Sequence, residues 1–391
     1  MTENKNFRMM AKTMQGLEEV LVKELRQLGA MDVEPVKRGA TFRGDIGFMY
    51  KANLWLRTAL RILVPIKEFK ARNEDEIYKK VKDIAWEELF DKNRTIVVDT
   101  TIYAQQYNHT LYMSQKVKDA IVDRFREKTG SRPSVDTKNP DIRIDVYIYN
   151  ENVIVSMDSS GNSLHKRGYR TEADVAPINE VLAAGILKLA GWDGLGSLID
   201  PMCGSGTFLI EGAMIAHNIP PGVFRKDFAF KNWNNFDEEL YDLLFNKALE
   251  KEKNFYYGIY GFDKDPRVLL KARSNVKSAL MTEQVKLEKA DFMNFRSSRE
   301  LKRPGMLVFN PPYGVKIEAD IPELYRGIGD TLKRDFAGYT AWMITSSREG
   351  LKHVGLRPSQ KIPMINGSLE SWLVRYDLYE GSRKTKKQVE E

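Results

Sequence analysis

The chain has 391 residues, 42% hydrophobic and 29% charged, which is too long for one ordinary core and suits two or three domains in water. Its single cysteine, Cys203, excludes an internal disulfide and suits a reducing cytoplasm, and with only four histidines at no ligand spacing a metal site is not expected. No apolar run approaches membrane-spanning length, the start MTENKNFRMM lacks the apolar centre of a signal peptide, and the formal charge of +7 suits either a polyanionic partner or a mildly basic protein without one.

Residues 9–14 read as a short strand. A helix over 15–28 follows, with Leu17, Val20, Leu21, Leu25 and Leu28 on one face, Glu18 and Glu19 in its first turn and Gly29 past its end. Strands at 33–37 and 41–43, a helix at 47–57 and a strand at 59–69 complete a small α+β unit with no catalytic pattern. The next unit starts with a helix over 75–84, striped by Ile77, Val81 and Ile84, and a strand over 95–101. A helix over 113–128 carries Val117, Ile121 and Phe125 on one side and ends before Gly130. Residues 141–149 alternate, with Ile142, Ile144, Val146 and Ile148 facing inward, and Asn150-Glu151-Asn152 turns the chain into a strand over 153–157. The segment 159–170, SSGNSLHKRGYR, is polar and basic and reads as a linker. Lys166, Arg167 and Arg170 in it either hold phosphates or are simply solvated.

From here helix and strand alternate, the signature of a parallel sheet covered by helices on both faces. A helix over 178–190 precedes strands at 196–199, 257–262, 285–289, 306–309 and 340–345. Segments 361–365 and 371–378 flank Asn366-Gly367, a hairpin signal. The expected fold is α/β: a doubly wound sheet with a terminal antiparallel hairpin. Residues 219–255 form an aromatic insertion, helical in its second half, and the basic tail 381–391 is expected to be disordered.

Ligands of such sheets bind beyond the carboxyl ends of the strands, and four strands here end in an acid or amide: Asp200, Asp263, Asp291 and Asn310. Asp200-Pro201-Met202-Cys203-Gly204-Ser205-Gly206-Thr207 joins the first strand to a helix, and its glycines permit a tight turn whose amides face a carboxylate. A phosphate loop would need a Gly-Lys-Ser/Thr ending, which is missing. Asp263 is placed to take both hydroxyls of a ribose, or else to cap the next helix, a role that Asp265 fits better. Asp291 can accept from an adenine amine with Phe292 on the ring, although capping explains Asp291 equally, and Glu180 faces the same pocket. After the fourth strand, Asn310-Pro311-Pro312-Tyr313 presents two acceptors and an aromatic face, suited to the exocyclic amine of a planar base. The bland reading is a proline-rich cap with Tyr313 as packing. A pocket for an adenosine with an amino-acid tail, beside an amine acceptor, fits S-adenosylmethionine.

These motifs carry a resemblance. LIDPMCGSGTFLIEGA (198–213) and FNPPYG (309–314), with SGNSLHKRGYR (160–170) and LYRGIGDTLK (324–333), resemble bacterial THUMP-domain 23S rRNA guanine-N2 methyltransferases. Residues 74–158 resemble the THUMP RNA-binding module, and the first 50 or so the ferredoxin-like domain before it. The resemblance implies a ferredoxin-like domain at 1–58, a THUMP domain at 59–160 and a Rossmann-like class I methyltransferase at 161–380. It implies methyl transfer from S-adenosylmethionine to a guanine N2 in 23S rRNA or a pre-ribosomal particle, alongside the cytoplasmic location and absence of a metal expected from composition. Cofactor positions carry over to Glu180, Asp200, Gly204, Ser205, Gly206, Asp263, Asp291 and Phe292, and the catalytic motif to Asn310, Pro311, Pro312 and Tyr313. The fused enterobacterial member adds a second methyltransferase, whose activity is expected to be absent here. A tRNA guanine, adenine in DNA, a protein glutamine amide, or a silent role in ribosome assembly are the alternatives; the RNA-type module argues against the DNA and protein targets.

Overall fold

The computed structural model describes residues 6–105, 107, 109–171, 177–295, 301, 303–312 and 320–380. Tyr313 and the tail 381–391 therefore lie outside the described residues. The chain divides into a unit of residues 1–167 with 220–250, and a unit of 168–219 with 251–391.

The first unit is built on one seven-stranded sheet in the order β2-β3-β1-β4-β7-β6-β5. Its strands are β1 (Phe7–Thr13), β2 (Met31–Val36), β3 (Gly39–Gly44), β4 (Ala59–Lys70), β5 (Ile96–Tyr103), β6 (Ile142–Tyr149) and β7 (Asn152–Asp158). Sequence pattern suggested two separate small units; β4 joins them, because its 12 residues pair with β1 at one end and with β7 along the rest. The helices are α1 (Glu18–Leu28), α2 (Ile46–Trp55), α3 (Glu74–Lys82), α4 (Trp86–Leu89) and α5 (Thr110–Thr129). Gly29 and Gly130 close α1 and α5 in the left-handed conformation that glycine adopts without steric cost.

The segment 159–170 is not a solvated linker. Ser159, Ser160, Leu164, Arg167 and Tyr169 are buried. Ser160 Oγ donates to Asn53 Oδ1, and Arg225 donates to the carbonyls of Ser160, Asn162, Ser163 and Lys166. Arg225 comes from the insertion, whose residues 220–250 pack within this first unit: the Phe230 ring lies tilted against Tyr50 at 4.6 Å, and the helix Glu238–Leu249 (α8) adds Tyr241 to the same cluster.

The second unit carries a seven-stranded sheet in the order β10-β9-β8-β11-β12-β14-β13. Its strands are β8 (Ser197–Asp200), β9 (Ile259–Asp263), β10 (Val285–Lys289), β11 (Gly305–Phe309), β12 (Thr340–Thr345), β13 (Gln360–Asn366) and β14 (Leu369–Asp377). The first five are mutually parallel, and β14 and β13 close the sheet as an antiparallel hairpin turning at Gly367. Helices α6 (Glu180–Leu189), α7 (Thr207–Ala216), α9 (Pro266–Ser278), α10 (Ile321–Asp335) and α11 (Arg348–His353) complete the unit. The strand order reverses between β8 and β11, so the rim beyond these two strands is where a crevice is expected. Among the described residues no helix is long and apolar enough to cross a membrane.

Candidate active site

A cleft of about 470 Å³ opens at this rim, within the size range of small-molecule sites. Asp200, Gly204, Ser205, Asp263, Asp291, Phe292, Asn310, Pro311 and Pro312 all line it. Pro177, Ile178, Cys203, Thr207 and Lys264, to which the sequence pattern assigned no cofactor role, also line its walls. Thr207 ends the quoted loop motif and Lys264 directly follows Asp263, which is the signal the sequence offers for them.

The loop after β8 is held from several sides. Gly204 and Gly206 have φ of 53° and 83°, left-handed values that most side chains resist. Gly206 is the N-cap of α7 and brings no capping side chain, so the first amides of that helix lack intrahelical acceptors and carry its positive end. From α9, Asn275 donates to the Ser205 carbonyl, and Asp263 Oδ2 accepts from the Gly204 amide at 3.1 Å. The other Asp263 oxygen accepts from Asp265 N at 3.0 Å. Asp265, as its position suggested, caps α9 by accepting from Arg267 N.

Asp200 is buried and accepts from Met202 N at 3.1 Å. Burial pushes its carboxyl well above the ordinary carboxylate range, and the charge of Asp263 pushes it further. Burial also raises the Cys203 thiol, so that side chain stays neutral and packs. Asp291 caps the short turn Phe292–Asn294 through Met293 N while still lining the cleft. Phe292 is buried and packs its ring 5.8 Å from Phe309.

Asn310 follows the last residue of β11, and its Oδ1 is buried with no hydrogen-bond partner among the described residues. An orphaned buried acceptor is costly in a native fold, and at a cleft wall it marks a place for an incoming donor. The residues present thus fit an adenosyl amino acid: amides and a helix terminus for a carboxylate, Asp263 for a ribose, and Asp291 with Phe292 for a base.

Two predicted positions are placed differently. Glu180 is buried in the first turn of α6, paired with Arg170 Nε at 2.8 Å, and is not among the residues lining the cleft. Gly206 shapes the loop from outside the lining as well. Of the cations assigned to phosphate contact, only Lys166 is exposed. Arg167 is 2% exposed and donates to the carbonyls of Leu164 and Arg57. Arg170 is spent on Glu180, Ser205, Thr207 and the Ile178 carbonyl. Arg167 is thus closed off from solvent, and Arg170 is half-buried with its bonds directed into its own unit.

A family model described as RMKL-like, methyltransferase domain, matches residues 167–375, more than half of the chain. The chain belongs to this methyltransferase family. A THUMP domain matches 71–158 and an RlmL ferredoxin-like domain 8–63. The chain is 37% identical, over 93% of its own length, to ribosomal RNA large subunit methyltransferase K/L of Syntrophotalea carbinolica, of which it covers 53%. The chain thus spans about half the length of that relative. It is 38% identical to slr0064 of Synechocystis sp., provisionally named an RNA methyltransferase, covering 93% of this chain and 95% of the relative. Among solved structures, SMU.472, a provisionally assigned methyltransferase complexed with SAH, superposes with a TM-score of 0.85 at 32% identity over 97% of this chain and all of that one. Among the described residues no group of His, Cys, Asp and Glu is placed to hold a metal.

Proposed function

We propose that this methyltransferase moves a methyl group from S-adenosylmethionine to the exocyclic N2 of a guanine in 23S rRNA. The observation that carries the reading is that the Asn310 acceptor and the glycine loop line one cleft at the rim of a single sheet. When bound, S-adenosylmethionine supplies a methyl group on a positively charged sulfur, already activated. What this chain provides is orientation and electrostatics. Gly204, Ser205 and the first turn of α7 hold the carboxylate tail, Asp263 the ribose, and Asp291 with Phe292 the adenine. Asn310 Oδ1 accepts an N–H of the target amine, draws its lone pair out of ring conjugation and points it inward. Pro311 and Pro312 fix the backbone that carries Asn310, and Tyr313 is assigned the face of the target base. The amine loses its proton after attack, so the rim requires no strong base.

The RNA partner is supported by the THUMP match and by relatives named for ribosomal RNA; the ferredoxin-like and THUMP segments are assigned to gripping the RNA, with Lys166 on a phosphate. The test is purified protein with methyl-labelled cofactor and separately prepared unmodified 23S rRNA and tRNA, digested to nucleosides. Label in N2-methylguanosine from rRNA is expected. Label confined to tRNA moves the target, and no labelled N2-methylguanosine in either removes the reading.

A further inference from the structure

The half-buried Arg170 directs its guanidinium onto the loop after β8. Its Nη1 donates to Ser205 Oγ at 3.0 Å and its Nη2 to Thr207 Oγ1 at 2.9 Å, and both residues belong to the cleft lining. Its Nε donates to Glu180 Oε1 at 2.8 Å, and Nη2 also reaches the Ile178 carbonyl at 3.3 Å. One planar fork therefore spans the first turn of α6 and both sides of Gly206. A hydroxyl whose oxygen accepts from an arginine keeps its own hydrogen to donate, and that hydrogen points away from the guanidinium. Ser205 and Thr207 are thereby set as donors rather than acceptors.

We infer that Arg170, held in place by Glu180, is a positioning residue that orients the Ser205 and Thr207 hydroxyls as donors to the carboxylate of the methyl donor's amino-acid tail. Glu180 balances the arginine's charge, so the effect on the carboxylate is mainly orientation and not long-range attraction. A buried ion pair adds little net stability against a well-packed apolar replacement, which leaves geometric specification as its contribution. Lysine cannot reproduce it, being a single point donor without the fork.

The inference rests on the S-adenosylmethionine reading, and two ligands separate their fates. S-adenosylhomocysteine and its decarboxylated counterpart, which keeps the amine, are titrated into the intact wild-type protein, Arg170→Lys and Thr207→Val. Wild type is expected to prefer the carboxylate-bearing ligand. In Arg170→Lys that ligand should weaken roughly ten- to a hundred-fold while the decarboxylated one changes by less than about threefold, as loss of donors to a charged acceptor requires. Thr207→Val, which preserves the packing, should show the same selectivity loss at smaller size. Equal weakening of both ligands in the variants, or no change, overturns the positioning role and leaves the cofactor reading standing. Failure of wild type to bind S-adenosylhomocysteine overturns both.

Discussion

Replacing Asn310 by alanine should separate stability from activity in opposite directions. The substitution deletes a carbonyl oxygen buried without a partner among the described residues. Such an orphan costs roughly 1–3 kcal/mol, and its removal relieves that cost. Against this stands lost packing from a small, polar, half-buried side chain, about 1 kcal/mol at the usual coefficient for buried area. The net change in folding free energy is expected to lie between zero and a gain of about 1–2 kcal/mol, or a melting temperature unchanged or raised by a few degrees. Turnover should behave otherwise. In the proposed function the deleted oxygen accepts from an amine that gains positive charge as it reacts, and loss of one such preorganised partner is expected to lower kcat by about 10²–10³-fold. S-adenosylhomocysteine affinity should stay within about threefold, since the proposed function assigns its tail, ribose and adenine to other residues. Asn310→Asp keeps an acceptor and should retain more turnover than Asn310→Ala. Thermal melts, ligand titration and single-turnover kinetics on one preparation read all three quantities. A melting temperature that drops by many degrees, with ligand affinity falling alongside, would make Asn310 a strand cap and refute the reasoning; so would unimpaired turnover.

Other expectations follow from the same geometry. Because the folded Asp200 carboxyl binds its proton more tightly than an unfolded one, its contribution to stability is full below the ordinary carboxylate pKa and is lost as pH rises through the raised value. Asp200→Asn should flatten that part of the melting-temperature profile, and parallel profiles for the two proteins would remove Asp200 as the cause. A cationic ligand favours ionised Asp200, so S-adenosylmethionine binding should release a proton in that window, seen as a buffer-dependent binding enthalpy; no buffer dependence contradicts it. Gly206→Ala forces an alanine to φ 83° and should cost about 1–2 kcal/mol of stability and weaken S-adenosylhomocysteine binding together, measured by melt and titration. Arg167→Ala should destabilise by about 2–4 kcal/mol, because two backbone carbonyls lose a buried donor, and leave the salt slope of RNA binding unchanged. Lys166→Ala, by contrast, should leave the melt unchanged and lower that slope by about one unit.

Much of the second unit was legible because its signals are local. Apolar runs ending in Asp200, Asp263 and Asn310, the glycines of the loop and Asn366-Gly367 each specify their own backbone, and the parallel rim follows from helix and strand alternating. What escaped depends on partners distant in sequence. The single sheet of the first unit exists because β4 is long enough to pair on both sides, a fact about β1 and β7 as much as about β4. The segment 159–170 looks solvated by composition, yet its polar groups are satisfied by Asn53 and by Arg225 from the insertion. By sequence, Arg167 and Arg170 suit either phosphate contact or solvent and Glu180 suits the cleft, whereas in the fold Arg167 donates to backbone carbonyls and Glu180 pairs with Arg170. In each case the polar or charged group is visible in the sequence and its distant partner is not.

The central claim, that Asn310 presents a guanine amine to the cofactor at this rim, is tested most directly in cells. Ribosomal RNA from a strain lacking the gene is compared with RNA from the same strain carrying the wild-type chain or Asn310→Ala. The account predicts one guanine N2 that is unmethylated in the deletion, restored by wild type and not restored by Asn310→Ala expressed at equal level. Restoration by the alanine variant, or ribosomal RNA whose N2-methylguanosine is the same in all three strains, would contradict it.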